Sequence, residues 1–158
     1  MKQNEILVIY GKNYTTLARQ LLEEAHLAEM IGDREKVIGI KPNLVAPVPA
    51  EDGGTTHPEV VEGLIQYLQE HGFRNLRIME GSWVGDRTEE SFEVCGYTAL
   101  AEKYGVQLID AQKEPAVIKN CSGMELHLCR CAAETDFMIN VPAVSYTHLR
   151  AHETELHL

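Results

Sequence analysis

The sequence predicts a three-layer α/β fold: a mostly parallel sheet with helices on both faces and one β-hairpin excursion. Three observations carry this. Short apolar runs alternate along the chain with stretches whose apolar residues recur at helical spacing. The runs are continuously apolar rather than alternating, as strands covered on both sides require. Near the end, two apolar-rich runs flank Ser122-Gly123, a hairpin signal. Strands separated by helices join in parallel through right-handed crossovers.

Each element has its own justification. Ile6-Leu7-Val8-Ile9-Tyr10, ended by Gly11, reads as a first strand buried on both faces. A helix follows over about 15–31. Leu17, Leu21, Ala25 and Ala28 share a face, Asn13, Thr15 and Thr16 offer capping oxygens, and Gly32 supplies a stop. Val37-Ile38-Gly39-Ile40 is a second strand, running into Lys41-Pro42-Asn43 and a Pro/Gly-rich loop to Gly54. Pro58 opens the clearest helix, with Val60, Val61, Leu64, Ile65 and Leu68 on one stripe. Leu76-Arg77-Ile78-Met79 is the third strand, ending at Glu80-Gly81-Ser82. A polar loop from Trp83 to Thr88 leads to a helical stretch that breaks at Gly96 and stops at Gly105. Val106–Asp110 is the fourth strand. The hairpin, a short helix near Arg130–Thr135 and a last strand, Phe137–Val141, complete the order.

Composition bounds the function. The 158 residues are 44% hydrophobic and 24% charged, which suits one domain of ordinary size. With 24 acids against 14 bases, the net charge of −10 disfavours a broad nucleic-acid surface. No apolar run approaches the roughly 18–20 residues of a membrane span. The N-terminus does not read as a signal peptide. Four cysteines without secretory context read as reduced thiols, so a cytoplasmic location is expected. The partner these features leave open is a small-molecule ligand.

In open α/β sheets, ligands bind beyond the carboxyl ends of the strands. Those ends carry Lys41 and Asn43, Glu80 and Ser82, Asp110, and Asn140. Parallel strands would gather them on one rim. Lys41, Glu80 and Asp110 are the candidate catalytic groups. Asn43, Ser82 and Asn140 are candidate ligand contacts, joined by Thr55 and Thr56 where Gly53-Gly54 opens a helix. The plainer alternative is that strand ends are polar because they meet water, and that Thr56 or His57 caps an ordinary helix. Lys41 has two options: it holds a negative group of a ligand, or it pairs Glu80 or Asp110. No phosphate-loop or dinucleotide fingerprint is present.

No metal is assigned. Cys121 and Cys129 would stand about five strand rises apart, roughly 17 Å. Cys129 and Cys131, if extended, would be about 6–7 Å apart, which is poor disulfide geometry. All are expected to be free thiols. His148 and His152 have helical ligand spacing but lie in the tail discussed next.

Four short pieces occur in a telling order: Ile40-Lys41-Pro42-Asn43-Leu44-Val45, Thr55-Thr56-His57-Pro58-Glu59-Val60-Val61, Glu80-Gly81-Ser82, and Asp136–Pro142. Over roughly residues 36–144 the chain resembles the domain-of-unknown-function 362 family. That resemblance implies an uncharacterised intracellular prokaryotic protein. It also implies a link to [4Fe–4S] proteins, because members often carry ferredoxin-like cysteines elsewhere in the chain. No cluster motif occurs in this sequence. After Pro142 the family pattern continues with a lysine where Ser145 stands here. The remainder resembles the peptide obtained when sequencing-adapter DNA is translated at the end of a metagenomic gene. The expectation is therefore a single domain over 1–144, truncated at its end, and a non-native tail over 145–158.

Two functions follow as expectations. One is an enzyme-like or redox-accessory domain that binds a small anionic ligand at the rim. The other is a non-catalytic scaffold domain of an iron–sulfur protein, or a fragment inactive because its rim is incomplete.

Overall fold

A computed structural model describes residues 5–143. Along the chain run α1 (Tyr14–Glu24), α2 (Leu27–Ile31), β1 (Ile38–Pro42), α3 (Pro58–Glu70), β2 (Leu76–Glu80), α4 (Thr88–Val94), α5 (Tyr97–Tyr104), β3 (Gln107–Asp110), β4 (Ala116–Cys121), β5 (Met124–Cys129), α6 (Arg130–Ala133) and β6 (Phe137–Val141). The sheet order is β3-β2-β1-β6, and every pairing in it is parallel. The predicted α/β class therefore stands. The hairpin β4–β5 forms a separate antiparallel ribbon. Its turn residues, Ser122 and Gly123, both have positive φ, which suits the right-handed twist of a tight hairpin.

Side chains alternate across the sheet. Ile38, Ile40, Leu76 and Ile78 join the main core with α1, α2, α3, α4 and α5. Met79 and Ile109 face the other way and pack on Cys131 of α6. The second helical layer is thus thin. Gly39 makes room there: a Cβ would lie 2.9 Å from the Met79 methyl and from Thr135 Cγ2, in the segment leaving α6.

The α3 stripe falls as its spacing predicts. Val61, Leu64, Ile65 and Leu68 are buried and Val60 packs at their edge. Opposite lies α1, started by Asn13, whose side chain accepts from Thr16 N at 2.9 Å. The two helices touch at Gly63, where an added Cβ would stand 2.5 Å from Thr15 O and 2.8 Å from Ala18 Cβ. Alanine improves helix propensity by about 1 kcal/mol. Here the backbone clash outweighs it, and Gly63→Ala should lose about 1–3 kcal/mol net. Urea unfolding measures this, and a more stable variant would contradict the close approach.

Two sequence expectations are corrected. The apolar run at 6–10 is not a strand, and Ile6, Val8 and Tyr10 are 84%, 60% and 89% exposed. Apolar composition suits a strand but does not supply a neighbour, and the four sheet strands described pair with one another. The single helix over 15–31 is two. His26 adopts a left-handed conformation (φ 52°) between α1 and α2. The N–H of Ala28 finds its partner in another element, donating to Tyr67 Oη of α3 at 3.1 Å. The break turns Leu27, Ala28 and Ile31 into the core. The tail expected from about 145 lies outside the described residues.

Candidate functional site

β1 and β2 are adjacent and parallel, so their carboxyl ends emerge side by side. Glu80 closes β2 and is only 5% exposed. Its carboxylate is fully engaged. Oε1 accepts from Gly81 N at 2.8 Å, and Oε2 accepts from Leu44 N at 3.1 Å and Lys41 Nζ at 3.0 Å. Lys41 also donates to Pro42 O at 3.1 Å. Its ammonium has three donors. The third has no partner among the described residues, and the side chain is half-exposed.

Ser82 and Asn43 hold the loops around this pair. Ser82 Oγ donates to Leu44 O at 2.8 Å and shares a hydrogen bond with Ser91 Oγ at 2.9 Å. Its backbone N donates to Thr88 Oγ1, and both Thr88 and Ser91 are fully buried. Asn43 Nδ2 donates to Gly54 O at 2.9 Å, and Asn43 N to Thr56 Oγ1 at 2.9 Å. Thr56 Oγ1 in turn donates to Val141 O at 2.7 Å, and Thr55 Oγ1 to Val48 O at 3.1 Å. Tyr97 Oη donates to Thr56 O at 3.0 Å. Burial pushes that phenol far above the ordinary tyrosine range, so it remains a donor. The Thr56 hydroxyl thus ties the 43–57 loop to the end of β6, and the Thr55 hydroxyl closes the loop on itself.

The structure gathers four of the eight predicted residues. Lys41, Asn43, Glu80 and Ser82 line one cavity of about 400 Å³, together with Val45, Gly81, Trp83 and Val84. Thr55 and Thr56 line a neighbouring cavity of about 300 Å³ at the entrance of α3, where the Tyr14 and His57 rings meet at 4.6 Å, tilted by 43°. Asp110 is in register with Glu80 but borders a separate depression with Glu89 and Phe92. Its Oδ1 accepts from Gln112 N at 3.0 Å, which caps the turn after β3. Asn140 is in register with Lys41 on β6, is exposed, and lies outside all three.

Sequence reasoning missed Trp83 and Val84, which are 69% and 92% exposed at the mouth of the first cavity. A signal existed: Trp83 is the only tryptophan, set in a polar loop one residue past a strand-end serine. The loop is held there by Trp83 N donating to Val45 O at 2.8 Å and by Gln112 Nε2 donating to Ser82 O at 2.7 Å. Among the described residues, no group of three or more His, Cys, Asp or Glu side chains is placed to hold a metal ion. No helix among them is long and apolar enough to cross a membrane.

Similarity to known proteins is partial. The chain is 34% identical over 96 residues to the 1,4-alpha-glucan branching enzyme GlgB of Prochlorococcus marinus (strain MIT 9515). It is 33% identical over 96 residues to the enzyme of the same name from Prochlorococcus marinus subsp. pastoris. Each match takes in 52% of this chain, and the chain spans 12% of the length of each enzyme. No solved structure matches the chain. The family described as "Domain of unknown function (DUF362)" matches residues 38–154. That stretch takes in the whole sheet and every residue that lines the Lys41–Glu80 cavity, and the chain therefore belongs to the DUF362 family.

Proposed function

We propose that this domain binds a small ligand carrying one acidic group in the cavity between the ends of β1 and β2. The uncommitted third donor of Lys41, on a residue that lines a cavity of about 400 Å³, is the observation that carries the reading. Lys41 supplies the charged contact. Glu80 is a positioning residue: it holds the ammonium in place rather than meeting the ligand. Trp83 offers an exposed apolar face to the rest of the molecule. Of the two options for Lys41, pairing Glu80 and holding a ligand are compatible here, because the pair uses one donor of three. The overlap with GlgB, 12% of that enzyme, supports no transfer of its activity.

Trp83 makes the test direct, since it is the sole tryptophan and lies at the cavity mouth. Titration with phosphate, sulfate and small carboxylic acids should change its emission saturably for at least one of them. That ligand should also raise the thermal midpoint. At a hundredfold excess over Kd, binding adds about 2.7 kcal/mol. For a chain of this size that is a rise of roughly 5–11 °C. Lys41→Ala should abolish both responses. Equal responses from Lys41→Ala and the parent chain would leave Lys41 as a purely structural partner of Glu80.

A further inference from the structure

Cys129 ends β5 and Cys131 lies in α6, so the chain turns from strand to helix between them. The extended geometry expected from sequence would hold the two apart. Cys129 itself is still extended (φ −56°, ψ 132°), and the helical turn that begins at Arg130 brings the sulfurs to 3.1 Å. The two differ in access. Cys131 is 3% exposed and packs on Met79 and Ile109 behind the sheet. Cys129 is half-buried, with its sulfur 3.7 Å from Ala111 O. The other thiols are elsewhere: Cys121 is exposed, opposite Met124 at the hairpin tip, and Cys95 is buried in the main core.

We propose that Cys129 and Cys131 form a redox-active dithiol, which a small-molecule disulfide oxidises to an intramolecular disulfide. Cys129 is the entry point because it is the less buried of the two. Burial first, and then Cys129 beside it, push the Cys131 thiol well above its ordinary range, so Cys131 is the poorer initial nucleophile. Cys129 gives its proton to solvent and attacks one sulfur of the oxidant. The oxidant's S–S bond breaks, one thiolate leaves, and a mixed disulfide remains on Cys129. Cys131 then loses its proton and attacks Cys129 Sγ, expelling the second thiolate. Two protein thiols and one small disulfide become one protein disulfide and two small thiols. The electron pair ends on the oxidant, and the released thiolates take up the two protons. Closure moves the sulfurs from 3.1 Å to about 2.0 Å, a local adjustment at the strand-to-helix bend. The product ties the end of the hairpin to the helix behind the sheet.

The test uses the full chain with Cys121→Ser, which removes an exposed thiol and leaves both partners intact. Oxidised glutathione, added without denaturant, should lower the free thiols from three to one. Trypsin cleaves after Arg130, between the partners, so the oxidised product should give two peptides joined through Cys129 and Cys131. Adding Cys131→Ser should stop the reaction at a stable glutathione adduct on Cys129. Adding Cys129→Ser should leave Cys131 unmodified in the folded chain. Retention of all three thiols under native conditions would overturn the proposal. So would a bond that forms only in denaturant, or a stable adduct on Cys129 that never closes while Cys131 is present.

Discussion

Glu80→Ala should destabilise the domain by about 2–5 kcal/mol, chiefly by leaving two buried backbone N–H groups without an acceptor. The carboxylate is 5% exposed and receives three donors. Two are backbone N–H groups, of Leu44 and Gly81, which cannot turn away. Leaving each unsatisfied costs about 1–3 kcal/mol. Lys41 is half-exposed and recovers water, so the backbone donors dominate the loss. Glu80→Gln sharpens the test. Its amide retains one acceptor oxygen but presents N–H to at least one of the donors. It should fall between the parent and Glu80→Ala in urea unfolding. A loss below about 1 kcal/mol for Glu80→Ala would mean that water replaces the carboxylate at both backbone groups. The same variant separates stability from binding. If it still unfolds cooperatively, a weaker ligand-induced change in Trp83 emission reports a misplaced Lys41.

Leu64→Ala should cost about 2–5 kcal/mol, from lost burial plus the cavity left behind. Leu64 is 5% exposed and lies on the α3 face that covers the sheet, between the fully buried Val61 and Leu68. Its neighbours have little freedom to collapse into the gap. Gly63, next to it, already holds α1 at backbone contact distance, so α1 cannot move closer along that line. This places the expected value in the upper half of the range. The measurement is the urea midpoint at unchanged slope. A loss under about 1 kcal/mol would show that α1 and α3 reseat easily, against the tight contact at Gly63.

Local signals were legible wherever one segment carried its own reason. The α3 stripe, Pro58 at its start, Asn13 as the cap of α1, Ser122-Gly123 at the hairpin and the Gly96 break between α4 and α5 all follow from spacing or turn chemistry. The pairing of Cys121 with Met124 and of Ala116 with Cys129 was readable from the turn alone, because a two-residue loop sets the register of both strands. For the candidate site, strand ends named Lys41, Asn43, Glu80 and Ser82, and the parallel topology placed them together.

What failed needed a partner that the sequence does not name. Ile6–Tyr10 has strand composition, yet a strand exists only by pairing, and pairing is a property of two segments. His26 breaks a helix because Tyr67 of α3 meets the N–H of Ala28, a contact across 39 residues. Asp110 sits at a strand end like Glu80 but turns its carboxylate to its own turn, so topology alone put it in the wrong cavity. Cys129 and Cys131 meet because a strand bends into a helix between them, where spacing assumed an extended chain. By itself the sequence determined the elements and the edge of the sheet where polar groups collect, since periodicity and turn residues act within one segment. Only the tertiary structure decided which of those groups share a cavity and which thiols touch, because a donor and an acceptor distant in sequence find each other through packing.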